Sequence, residues 1–122
     1  MNVNFIEFRY GLLELADKNE QIRLWAHADN DTGEFSSLEE VRSSVFNVDV
    51  QKNLDNKKAS FSLSEDVILM LKDLRAKIDG LPEELSPMEI IEHPSMQQVR
   101  EISQKIIKHL VASLALEKNT GN

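Results

Sequence analysis

The side chains of this chain able to do chemistry are three histidines, twenty-one carboxylates and a scatter of serines, with no cysteine at all. His27 falls in a run of turn composition, His93 precedes a proline and His109 sits in a long helical pattern, so no pair has the spacing that puts two ligands on one helix face. The run Asp29-Asn30-Asp31-Thr32-Gly33, with Glu40 eleven positions after Asp29, has the outline of a calcium loop. Its glycine, however, falls at the fifth loop position, where a ligand belongs, and not at the sixth, where the turn needs it. An acidic turn is the simpler reading. No serine lies in G-x-S-x-G, the four glycines form no phosphate-cradling loop, and no His-x-Glu zinc pattern occurs. The expectation is a protein that is not an enzyme, with no catalytic residue, no metal site and no cofactor.

The carboxylates matter more by their sum than by their spacing. Fourteen Lys and Arg against twenty-one Asp and Glu leave a formal charge of −7, which opposes nucleic-acid phosphates and anionic membrane surfaces and favours a basic protein partner. The densest acidic stretch runs from Asp29 through Asp31 and Glu34 to Glu40, with Asp49 and Asp55 following. Asp29, Asp31, Glu34, Asp49 and Asp55 are the candidate partner-binding residues. The competing structural reading makes the same carboxylates a turn, helix caps and a solvated linker, and Glu39 and Glu40 have capping positions in either case.

Helices must position these residues. Ser86-Pro87-Met88-Glu89 combines an N-cap serine, proline at the first helical position and glutamate at the third, so a short helix starts there. It stops near Glu92, because the residue before Pro94 is pushed out of the helical region. Pro94 or Ser95 then opens a long helix with Met96, Val99, Ile102, Ile106, Leu110 and Leu114 on one stripe, widened by Ile107 and Val111. Val67, Leu71, Leu74 and Ile78 share the same period, with Ser62 and Glu65 as the expected capping box and Gly80 and Pro82 as the stop. Ser36 or Ser37 with Glu39 or Glu40 caps a third, shorter helix bearing Leu38, Val41 and Val45. Phe5, Phe8, Leu12 and Leu15, then Ile22 and Trp25, give two N-terminal helices or one kinked near Asn19. Tyr10 and Trp25 are expected in the core or a half-buried seam. Residues 48–60 read as a polar connection, and Ala59-Ser60-Phe61-Ser62-Leu63 alternates like a strand that has no partner.

An all-α, single-domain bundle of about five helices, two of them short, follows over residues 1–116, with 117–122 as a flexible C-terminal tail. The 122 residues suit one core, and 41% hydrophobic against 29% charged residues is ordinary for a folded domain. Without cysteine the core is held by packing alone. No apolar run approaches the roughly 18 residues of a membrane span, and the first residues lack a basic region followed by an apolar one, so the expected compartment is the cytoplasm.

Three stretches carry a family likeness: Phe8-Arg9-Tyr10-Gly11-Leu12-Leu13 running to Leu24-Trp25, then Phe35 to Val41 through Phe46-Asn47-Val48-Asp49, and His93-Pro94-Ser95-Met96 leading into the last helix. Together they resemble a family of small bacterial helical proteins in which a segment ending in Leu-Trp or Val-Trp precedes a helix closed by Phe-x-x-Asp, and His-Pro opens the last helix. Proteins similar to these are found as immunity proteins of contact-dependent growth inhibition and related toxin systems. The resemblance implies a monomer or homodimer that binds and neutralises a cognate toxin, a cationic nuclease domain whose cleft an acidic helical plug would block. It implies no catalytic residue. Where that family carries two acidic residues after its phenylalanine, this chain has Asn47 and Asp49, which puts a role for the acidic pair in question. The alternative is a non-catalytic bacterial adaptor or regulator acting through helix-mediated self-association.

Overall fold

Asp17 divides the N-terminal third. Its backbone is extended, at φ −120° and ψ 105°, so helix α1 (Val3–Ala16) ends just before it. Its side-chain Oδ1 then accepts from the N–H groups of Asn19 and Glu20, which starts the four-residue α2 (Lys18–Gln21). Helix ends leave carbonyls without partners, and two glutamines from elsewhere take those of α1. Gln21 Nε2 donates to the Glu14 and Leu15 carbonyls at 3.1 and 2.8 Å, and Gln104 Nε2 to that of Ala16 at 3.0 Å. The choice between two helices and one kinked helix is thus resolved as two, broken at Asp17 and not at Asn19. A π-helical turn, Ile22–Ala26, follows α2 and brings Trp25 inward.

The computed structural model describes residues 2–26 and 35–120, with side chains through residue 111. After residue 35 come α3 (Leu38–Val45), α4 (Val48–Leu54), α5 (Glu65–Asp79), α6 (Pro87–Glu92) and α7 (Pro94–Thr120). No strand occurs among the described residues, and the fold is all-α. Among the described residues seven helices and a π turn stand in place of the expected five or so. The difference comes from the break at Asp17 and from α4, which occupies part of the expected polar connection.

α4 forms because polar side chains hold it from both ends while Val50 and Leu54 point inward. Asn47 caps its first turn through the N–H groups of Asp49 and Val50, and donates in turn to the Asn4 and Ser44 carbonyls. At the far end Asn56 takes the left-handed conformation, φ 57°, and the Lys57 N–H returns to the Lys52 carbonyl at 2.7 Å. Asparagine tolerates that conformation better than most residues, and the return bond is the usual helix stop. The alternating stretch 59–63 is pinned by side chains, Asn53 at its far end and Asp49 at Ser60, and is not a strand. Asn53 accepts from the Leu63 N–H at 2.9 Å and donates to the Phe61 carbonyl at 3.0 Å. Phe61 then meets Phe5 edge-on, ring centroids 5.3 Å apart, and stacks near Phe8 at 6.4 Å.

With Leu63 held in this way, α5 starts two residues later than the expected box. Ser64, not Ser62, is its N-cap, accepting from the Val67 N–H. Val67, Leu71, Leu74 and Ile78 face the core as their spacing requires. The Ser86 capping box is complete, with Ser86 Oγ accepting from the Glu89 N–H and Glu89 Oε1 from the Ser86 N–H. The Ser86 N–H donating to the carboxylate, and then the Ser86 hydroxyl, favour its ionised form and hold the Glu89 pKa below its ordinary value. His93 Nδ1 accepts from the Ser95 N–H at the start of α7.

α1 packs between α3 and α7, and α5 lies against α7. Met96, Val99, Arg100, Ser103 and Ile106 of α7 are buried, whereas Val111, expected to widen that stripe, is 52% exposed. Helix α7 continues through Thr120, so most of the expected tail is helical. No described helix is long and apolar enough to cross a membrane.

Candidate functional site

Gly11 sets the geometry of an acidic groove that combines residues from two long-range partners, α1 and α3. It lies in the middle of α1, where a Cβ would stand 2.6 Å from Val45 Cγ2, so the absence of a side chain is what lets α3 approach. On either side of it the same face of α1 presents Glu7, Tyr10 and Glu14, spaced at whole turns. Across from them α3 presents Glu40 and Ser44, and the space between is about 210 Å³. Ser37 caps α3 through the Glu40 N–H at 3.1 Å, which fixes the first turn from which Glu40 projects.

Glu14 is held in place. Its Oε2 accepts from Trp25 Nε1 at 2.7 Å, and this bond satisfies the one polar atom of a buried indole. The Ser36 N–H donates to the Leu24 carbonyl at 3.0 Å, and Ser36 lines the groove. The backbones at Leu24 and Ser36 are thus held together, with Ser36 at the groove. Asp29, Asp31 and Glu34, like His27 and the calcium-like run, lie between these points and outside the described residues.

Two aromatic side chains stand in solvent here. Tyr10, in the groove wall, and Phe35, next to Ser36, are each 69% exposed. The expectation of a buried Tyr10 is therefore corrected, while Trp25 is in the core as read. The signal was present in the spacing: the buried stripe is Phe8, Leu12 and Leu15, and Tyr10 stands two residues from Phe8, on the far side of a 3.6-residue turn. Glu7 and Glu14, seven residues apart, flank it on that outer face.

The other two candidates do not line this groove. Asp49 is 7% exposed and works within the fold. Its Oδ2 accepts from Asn4 Nδ2 and Ser60 Oγ, both at 2.7 Å, and its Oδ1 from the Ser60 N–H at 3.2 Å, while Asn2 Nδ2 donates to Ser60 Oγ at 2.7 Å. The Asn4 bond first, then the Ser60 bonds, hold its pKa below the usual carboxylate value. One carboxylate thus ties α1, α4 and the stretch before α5 together. Asp55, by contrast, is exposed at the end of α4, where its Oδ1 accepts from Gln51 Nε2.

No group of three or more His, Asp or Glu with metal-holding geometry occurs among the described residues. His109 is exposed and His93 caps a helix. The groove offers the carboxylates of Glu7, Glu14 and Glu40, the Tyr10 ring and the hydroxyls of Ser36 and Ser44, a set with the chemistry to meet a basic surface. No family model matches the chain, and neither a curated protein nor a solved structure does.

Proposed function

We propose that this protein is a non-catalytic inhibitor of the immunity type, which binds a cationic toxin domain, such as a nuclease, and covers its active cleft. The observation that carries the reading is the acidic α1–α3 groove, with exposed Tyr10 in its wall and exposed Phe35 next in sequence to Ser36 of its lining. Exposed aromatic side chains are the usual anchors of protein interfaces. A row of carboxylates around them steers a basic partner and repels acidic ones. Glu7, Glu14 and Glu40 join Asp29, Asp31 and Glu34 as the contact residues, Asp55 stands apart from the groove, and Asp49 serves the fold. Toxin and inhibitor would meet in the cytoplasm.

One observation favours the adaptor reading. Val3, Tyr10 and Leu13 form an exposed apolar line on α1, a surface on which two copies of the chain could pair. Sedimentation at rising concentration separates the two states, a stable dimer supporting the adaptor. The immunity reading is tested by capturing the product of the gene immediately upstream with the purified chain, and by expressing the two together. Capture and survival are the expected results. If the upstream product does not bind and expression protects against nothing, the reading fails.

A further inference from the structure

Where α1 gives way to α2, a recess of about 450 Å³ opens against the first turns of α7, with Arg100 in its wall. Arg100 is 6% exposed, yet its guanidinium meets only neutral oxygens. Nη1 donates to Gln21 Oε1 at 3.0 Å and to the Ile91 carbonyl at 3.1 Å, and Nη2 donates to Gln97 Oε1 at 3.3 Å. No described carboxylate pairs with it. A guanidinium has five N–H donors, so two, the Nε–H among them, are left without an acceptor among the described residues. Among the described residues only Ser103 Oγ is a fully enclosed side-chain polar atom without a partner. The Nε of Arg100 therefore keeps contact with solvent. A buried cation surrounded by neutral dipoles is costly without a counter-charge, and this one has donors to spare.

We propose that the recess binds a small molecule bearing a carboxylate, whose oxygens take the unused donors of Arg100. Side-on pairing of a guanidinium with a carboxylate is among the stronger polar contacts. Lys18 and Asn19 lie on the rim to assist, and Leu13 and Ala16 give the ligand's stem an apolar wall. Asp17 also lines the recess, its Oδ1 engaged by the Asn19 and Glu20 N–H groups. Its charge opposes a doubly charged phosphate more than a singly charged carboxylate, and this decides the class of anion. None of the groove residues takes part, so the proposal stands apart from the function proposed above.

The test uses acetate as probe, titrated into the isotope-labelled full chain and followed by NMR, with sodium chloride at equal ionic strength as control and phosphate as competitor. Saturable shifts of the Arg100 Nε–H and the Asn19 side-chain amide are expected, with half-saturation on the order of 10 mM for so small a ligand. Lys18→Glu, an exposed change, should weaken binding about threefold or more. Arg100→Lys keeps the charge but not the fork and should abolish saturation. If it does not fold, Lys18→Glu alone carries the comparison. Equal shifts with sodium chloride, an unchanged affinity in Lys18→Glu, or tighter binding of phosphate than of acetate would overturn the proposal.

Discussion

At Gly11 two opposing effects can be weighed by size. Alanine there would gain roughly 1 kcal/mol of helix propensity, but its methyl group would stand 2.6 Å from Val45 Cγ2 and 3.4 Å from the Val45 backbone nitrogen. Valine is stiff at χ1, so the contact is relieved by moving α3, and overpacking of this kind costs about 1–3 kcal/mol. Gly11→Ala should therefore be less stable than the parent by about 1 kcal/mol net, read as a lower denaturant midpoint. An unchanged or higher midpoint would mean that α3 does not approach so closely. Asp49 gives a pH-dependent counterpart. Its folded pKa is depressed below the ordinary 3.8, so its contribution is fully present above that value and is lost as pH falls through the folded pKa. Asp49→Asn should be less stable than the parent near neutral pH, and the gap should narrow in acid as the pH falls below the ordinary value of 3.8 and through the depressed folded pKa. Denaturation midpoints at the two pH values check this, and a constant gap would contradict the role of the ionised carboxylate.

Among the elements, those specified by neighbouring residues were legible in the sequence and those specified across the chain were not. The helix at Pro87–Glu92 was readable because its whole signal lies in four consecutive residues, and both bonds of the box form. Ser86→Ala should cost on the order of 1 kcal/mol, since it leaves helix N–H groups without their local acceptor. A thermal melt that does not move would place the helix start elsewhere. The apolar stripes of α1, α5 and α7 were equally readable from their periods. α4 was not, because only two of its seven residues are apolar and buried, and its bounds depend on Asn47 and Asn53 bonding to groups that the sequence does not place near them. The shift of the α5 cap from Ser62 to Ser64 has the same origin, the hold of Asn53 on Leu63. In the groove, Glu7, Tyr10 and Glu14 share a face by spacing alone, whereas their meeting with Glu40 needed the packing at Gly11. Asp49 was misplaced for a related reason: composition marks a carboxylate as exposed, and only the fold reveals donors on Asn4 and Ser60.

At the scale of the whole molecule the charge of −7 is the most general signal and the least specific. Recognition through the groove, as proposed, would divide the work between two kinds of residue. Carboxylates would accelerate encounter, an effect that weakens with salt. Tyr10 and Phe35, once desolvated against a partner, would hold the complex together and govern its dissociation. The direct measurement is the binding kinetics of the captured partner at two salt concentrations for three proteins: the parent, the combined Asp29→Asn, Asp31→Asn and Glu34→Gln variant, and the combined Tyr10→Ala and Phe35→Ala variant. Exchange of a carboxylate for its amide keeps size and most hydrogen bonding, so the first variant should fold as the parent does. The expected result is slower association with a shallower salt dependence for the carboxylate variant, its dissociation nearly unchanged, and dissociation faster by about tenfold or more for the aromatic variant. Association rates and salt slopes equal to the parent's in the first variant, together with unchanged dissociation in the second, would contradict recognition through the groove.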